Sequence, residues 1–352
     1  MTSNKRPLVT LIVVPREKFS CTFDSLDSII AHTKGPYELI YVDGRSPKPV
    51  RDGIAKRCTD NGFDHVRVER FLPTNVARNI GLKRARGKYI AFVENDVVVS
   101  PGWLEALVDC AEETGATVTG PLICEGRPIH SIIHCAGGVC GIKSKPDEQG
   151  KIQRHLYELL AEQKKRVDKV PLERKQTELA EFHCMMIRKD YLDEVGGLDP
   201  NVLNTREHVD FCISVMHKGG TVWLEPKSIV TYLFDTSLMH YDVPFFMYRW
   251  GDNSERSSLL YLKDKWNLTI DRMLQKRLDS IGKRRRHFMI VPFIKSLTGG
   301  KGGKRFNKAL VEGSVLVDRG INRLLFAWND RKPITIVGGE SNHSGAAGMA
   351  QK

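Results

Sequence analysis

Glu94, Asn95 and Asp96 interrupt the apolar stretch YIAFVENDVVV at residues 89–99. Tyr89–Val93 has the composition of a buried strand, so two carboxylates and an amide stand where that strand leaves the core. Hard divalent cations such as Mg²⁺ and Mn²⁺ take oxygen ligands, commonly one or two carboxylates together with substrate phosphates. An acid at a strand end, ahead of a loop, can hold such an ion against a diphosphate and stabilise charge on the leaving phosphate. Asp43 closes a second strand-like run, YELIYVD. One such acid can be a simple cap on buried backbone; acids at two strand ends of one sheet favour a ligand.

The elements that must carry these residues alternate. Strand patterns at residues 8–14, 37–43, 65–69, 89–93 and 116–119 are separated by helical patterns at 23–32, 73–86 and 101–113. That order predicts an α/β fold, a mostly parallel Rossmann-like sheet flanked by helices, with ligands beyond the carboxyl ends of its strands. In the helix at 73–86, Asn75, Arg78 and Asn79 share one face, and Val76 and Ile80 share a neighbouring face expected to point at the core. Residues 141–180 are lysine-rich and read as loop plus helix, forming a cover. A strand is expected at 183–188, a helix beginning near Thr205, and two short strands at 221–224 and 229–232. Beyond Asp242 the chain reads as helical and basic, and residues 338–352 as a disordered tail.

The formal net charge of +12 is concentrated at one end. Residues 1–250 hold 34 Lys+Arg against 33 Asp+Glu, whereas residues 251–352 hold 20 against 9. The basic part lacks regularly interleaved aromatics or a recognition motif, which argues against a nucleic-acid partner. No stretch reaches the roughly 18–20 apolar residues of a spanning helix. The start, MTSNKRPLVT, shows no apolar signal region, and the eight cysteines form no C-x-x-C pair; both features predict a cytoplasmic protein with reduced thiols. His130 and His134, beside Cys135, have a spacing open to zinc but read as structural.

Six segments in order resemble the family-2 glycosyltransferases of GT-A fold, the inverting enzymes common in bacterial polysaccharide synthesis. They are VTLIVVPRE, YVDGRSP, ARNIGLKRARGKYIAFVENDV, VSPGWLEAL, FHCMMIRKDYLDEVGGLDP and REHVDFCISVMHKGGTVWLEP, together covering roughly residues 8–250. The resemblance implies a GT-A domain over 1–250, with a nucleotide-sugar half (1–120) and an acceptor half (121–250), followed by a basic helical region at 251–337. It implies a nucleotide-diphosphate sugar donor, UDP-sugar favoured, and Mn²⁺ or Mg²⁺ as cofactor. Pro15, Glu17, Asp43, Arg78, Asn79, Glu94 and Asn95 would lie on the donor side. Asp96 aligns with the metal-binding last acid of the family's D-x-D, and Glu94 replaces its first Asp. His240, just past the last core strand, is a second candidate metal ligand.

Where the family commonly has an Glu-Asp pair supplying the base, this chain has Glu207-His208. With Thr205 as N-cap, both fall in the first helical turn, where the dipole favours neutral imidazole, so either can take the acceptor proton. Glu207 keeps the acidic type and is preferred. A nucleotidyltransferase would show a Gly-rich basic loop after the first strand, which PREKFS lacks; a non-catalytic sugar-binding relative is the other alternative. Finally, Lys283-Arg284-Arg285-Arg286 precedes HFMIVPFI, a pattern suited to peripheral attachment at the inner face of an anionic membrane, near a glycan or lipid-linked acceptor.

Overall fold

The computed structural model describes residues 7–234, 237–299 and 304–337; the tail expected at 338–352 lies outside them. The strands are β1 Val9–Val14, β2 Tyr37–Gly44, β3 Asp64–Val68, β4 Tyr89–Glu94, β5 Val97–Val99, β6 Val118–Glu125, β7 Ile133–Cys135, β8 Gly138–Pro146, β9 Ile152–Leu160, β10 Lys175–Thr177, β11 Cys184–Arg188, β12 Val222–Tyr232 and β13 Ile336–Val337. The helices are α1 Thr22–His32, α2 Lys48–Asn61, α3 Thr74–Leu82, α4 Trp103–Thr114, α5 Lys189–Val195, α6 Glu207–His217, α7 Val243–Arg249, α8 Asp252–Lys265, α9 Arg272–Leu278, α10 Lys283–Arg285, α11 Val291–Leu297 and α12 Lys304–Asp330.

All strands but β8 and β9 join one sheet, whose main path runs β10-β12-β6-β11-β4-β1-β2-β3-β13. β3, β2, β1 and β4 are parallel, as the alternating pattern requires, and β11 runs antiparallel between β4 and β6. Every residue of β1 and β4 is buried, so both read as continuous apolar runs rather than alternating ones. Two packed layers of side chains, one centred on Leu11, Trp103 and Phe245 and the other on Ile12, Phe92 and Phe182, cover the two faces.

Three local expectations change. The cover at 141–180 is mainly an antiparallel ribbon of β8 and β9, paired from Gly138–Leu160 to Pro146–Ile152. The two short strands at 221–232 are one strand with a register shift between Glu225 and Ile229. β6 continues through Gly120-Pro121, where a stop was expected. β11 pairs β6 only at Val118 and Thr119, so Pro121 has no pairing to break on that side.

The basic run at 283–286 is not a free cationic face. Arg285 is fully buried, bonding both carboxylate oxygens of Asp318, Asp252 Oδ1 at 2.7 Å and the Trp250 carbonyl. Arg284 lies over the Trp250 ring and pairs with Glu17, and Arg286 pairs with Glu312. These residues tie the C-terminal helices to the domain. Breaking a buried pair leaves an uncompensated charge, so Arg285→Ala should cost about 3–5 kcal/mol in urea unfolding. Lys283→Gln, at an exposed position, should stay within about 0.5 kcal/mol. Equal midpoints for the two variants would remove the structural role given to Arg285. No helix of the described residues is long and apolar enough to cross a membrane.

Candidate active site

The carboxyl end of β4 delivers Glu94, and the turn into β5 delivers Asn95 and Asp96; all three are buried. Each has a different task. Glu94 Oε1 accepts from Arg78 Nη2 at 2.7 Å, and its Oε2 lies 3.0 Å from Arg16 Nε and 2.8 Å from His183 Nδ1. Burial alone would raise the Glu94 carboxyl; Arg16, His183 and Arg78 outweigh it and hold the group well below the usual carboxylate range. Asn95 is a bracket: its Oδ1 accepts from the Arg16 backbone N–H, and its Nδ2 donates to Lys18 O and Thr22 Oγ1. Asp96 is fully buried, and neither carboxylate oxygen has a hydrogen-bond partner. Burial pushes its carboxyl up to about 7; Arg16 opposes the shift, and Glu94 and Glu17 add to it.

A buried carboxylate without partners is costly unless a cation or proton satisfies it. Glu94, Asp96 and His183 bring ligand atoms within 4.8 Å of one another. The donor set therefore fits a divalent ion, with Asp96 as the ligand that has no other occupation. His240 takes a different place. It is exposed in the turn beyond β12, its ring edge-on to Tyr241, and it joins none of the ligand clusters among the described residues. The imidazole beside Asp96 comes from His183, which directly precedes β11; its ring stacks on Tyr232 with centroids 4.2 Å apart.

A pocket of ≈ 260 Å³ opens beside these groups, lined by Arg16, Glu94, Glu207, His208, Arg249 and Arg284 among others. Trp250 Nε1 and two nitrogens of Arg249, Nε and Nη1, are buried without partners. Unsatisfied donors of this kind suit an anionic ligand such as a diphosphate. Glu207 is buried against Arg249 Nη2 at 3.2 Å. Burial would raise its carboxyl, but Arg249 and Arg78 hold it low, so it is ionised at neutral pH. His208 Nε2 is 2.6 Å from Glu158 Oε1, contributed by the β8–β9 ribbon. Helix α6 starts at Glu207 without a threonine cap. Arg206 occupies the N-cap position at φ 62°, its guanidinium paired with Glu158. Asp210 is held by Lys265 and Trp266.

Other expected donor contacts are turned inward. Asp43 is fully buried, accepting from Ser46 N, Ser46 Oγ and Arg67 Nη1. It holds the turn after β2. Asn79 spans the Leu198 peptide, accepting from its N–H and donating to its carbonyl, so it fixes the loop after Gly196-Gly197. Arg78 is fully buried beneath Glu94 and over the Phe182 ring. Pro15 is buried at the end of β1, and Glu17 is buried between Arg16 and Arg284. Arg16, Glu181, His183 and Arg249 were not singled out by the sequence reading. The one local signal was Glu181-Phe182-His183, whose i, i+2 spacing before a strand can place two polar side chains together.

Residues 21–129, which contain the Glu94–Asp96 turn, match the profile of Glycosyl transferase family 2. The match takes in less than a third of the chain. The chain is similar to protein y4gI of Sinorhizobium fredii, 28% identical over 74% of this chain and 28% of that protein. It is also similar to the glycosyltransferase EpsJ of Bacillus subtilis, 30% identical over 32% of this chain and 33% of that protein. The chain thus spans about a third or less of the length of these two curated relatives. Among solved structures, GalNAc-T7 with UDP, GalNAc and Mn²⁺ aligns with TM-score 0.49 and 18% identity, over 82% of this chain and 59% of that one. The matched segment ends before His134, Glu181 and Glu207, so that part of the pocket lining comes from residues beyond it.

Proposed function

We propose that the chain is an inverting glycosyltransferase that moves a sugar from a nucleotide-diphosphate donor, UDP-sugar favoured, to a hydroxyl of a saccharide or lipid-linked acceptor. The observation that carries this is Asp96, a buried carboxylate with both oxygens unpartnered, set in a family-2 segment beside an arginine-lined pocket. Asp96, with Glu94 beside it, would hold Mn²⁺ or Mg²⁺. When bound there, the ion supplies neutralising charge to the leaving diphosphate. Arg16, Arg249 and Arg284 bind the same anion from the protein side.

Glu207 takes the proton of the acceptor hydroxyl as its oxygen attacks the anomeric carbon. The bond from that carbon to the phosphate oxygen breaks, and its electron pair leaves with the diphosphate. Attack opposite the leaving group inverts the configuration. Glu207 is favoured over His208 because it is ionised in the pocket while His208 Nε2 is occupied by Glu158. Attachment to an anionic membrane through residues 283–286 would rest on Lys283, Arg284 and Arg286, since Arg285 is buried. The test is a panel of nucleotide sugars with Mn²⁺, read by melting temperature and by nucleotide release with and without simple saccharide acceptors. At least one donor should raise the melting temperature and release its nucleotide in a chelator-sensitive way. If no donor does either, the reading is wrong.

A further inference from the structure

A second group of ligating side chains lines the same pocket. His134 from β7, Glu181 and His183 place one ligand atom each within 4.8 Å of one another. Glu181 is 8% exposed and His183 4%. Glu181 Oε2 and His134 Nε2 stand 3.0 Å apart as an ion pair, and Oε2 makes no hydrogen bond. His183 Nδ1 lies 2.8 Å from Glu94 Oε2, yet neither atom makes a hydrogen bond. His134 Nδ1 lies 3.0 Å from Glu125 Oε2, and Glu125 is in turn paired with Lys164. A carboxylate behind an imidazole, with the far ring nitrogen directed at a shared point, is the outer-shell arrangement of metal-binding histidines.

We propose that His134, Glu181 and His183 bind a divalent transition metal of the imidazole-preferring class, Zn²⁺ or a Zn²⁺-like ion, at a site that does not use Asp96, although His183 also belongs to the Glu94–Asp96 group. Two imidazoles and one carboxylate select such an ion over Mg²⁺, which prefers an all-oxygen set. Ligands at about 2.1 Å from a tetrahedral ion are about 3.4 Å apart, so the His134–Glu181 pair at 3.0 Å would open slightly to admit one. The pocket supplies the entry path and room for water at the remaining position. The neighbouring trio Glu158, Glu181 and His208 is a poorer candidate, because His208 and Arg206 already close on Glu158. Glu181 Oε1 lies 3.7 Å from His208 Nε2, so an ion at this site sits one residue from the proposed acceptor subsite. The pair His130 and His134, suggested by spacing, is not brought together: His130 Nδ1 bonds Thr231 Oγ1, and Cys135 is buried against Gly137 O.

The proposal concerns metal binding alone and does not depend on sugar transfer. The experiment titrates Zn²⁺ and Co²⁺ into the chelator-treated full chain by calorimetry, with visible absorption for Co²⁺. The parent should bind Zn²⁺ and give Co²⁺ bands of nitrogen–oxygen ligation. Asp96→Asn should retain that binding. His134→Ala should lose at least about 100-fold in affinity, and Glu125→Gln, which removes only the outer carboxylate, about 10–100-fold. Circular dichroism and melting confirm that each variant is folded; Glu125→Gln serves if His134→Ala does not fold. The proposal is overturned if the parent binds no Zn²⁺. It is equally overturned if Asp96→Asn removes the binding, or if folded His134→Ala or Glu125→Gln binds within threefold of the parent.

Discussion

Asp96→Asn should abolish sugar transfer and, at the same time, stabilise the metal-free protein at alkaline pH. Loss of the ion's charge stabilisation, worth several kcal/mol in such reactions, predicts a fall in kcat of roughly 10³-fold or more. The stability gain has the opposite origin. The Asp96 carboxyl titrates at about 7 in the fold, against about 3.9 in an unfolded chain. Because its folded value is raised, its contribution is fully present below pH 4 and is lost as the pH rises through 7. The metal-free parent should therefore lose on the order of 3 kcal/mol between pH 4 and pH 8 at this residue. Asp96→Asn, which cannot ionise, should escape that loss. Melting curves at pH 5 and pH 8 with chelator, for parent and variant, measure it. A variant that is active and chelator-insensitive would refute the metal role; one less stable than the parent at pH 8 would refute the unpartnered carboxylate.

Glu207→Gln should lower kcat by about 10²–10⁴, the usual worth of a general base, and leave donor affinity within a few-fold. The isosteric amide keeps a partner for Arg249 Nη2, so the pocket should stay formed. The rise of kcat with pH that reports ionisation of the base should disappear in this variant. His208→Gln should cost less, because its imidazole braces Glu158 and Arg206 instead of facing the reacting hydroxyl. If His208→Gln loses the acidic limb and Glu207→Gln keeps it, the two roles exchange. If neither change exceeds about tenfold, the base lies outside α6, since Asp210 is occupied by Lys265 and Trp266.

Helix α3 shows what polarity alone does not reveal. Val76 and Ile80 pack against the core as their spacing suggests, but Asn75 and Arg78 on the neighbouring face are buried more deeply than they are. That depth has a specific cause: the Arg78 guanidinium bonds Glu94, 16 positions away. Buried charge is tolerated only when paired, and a partner that distant in sequence leaves no local periodicity to reveal it. Asp43 and Asn79 follow the same rule. Their types suited a ligand, but contacts to Arg67 and to the Leu198 peptide occupy them.

What the sequence determined by itself was the sheet and the position of its acids. Alternating strand and helix periods follow from local backbone geometry, so β1, β2 and β4, and Glu94–Asp96 at the exit of β4, could be located from residue types alone. Only the tertiary structure decided which of those acids is free. Glu94 and Asp96 are two residues apart, yet one is held by Arg78 from α3, Arg16 from the loop after β1 and His183 ahead of β11, while the other has no partner. The same folding brings His134, Glu181 and His208 to one pocket wall from three elements of unrelated sequence pattern. Those groupings depend on long-range packing and electrostatic pairing, which no short window of sequence encodes.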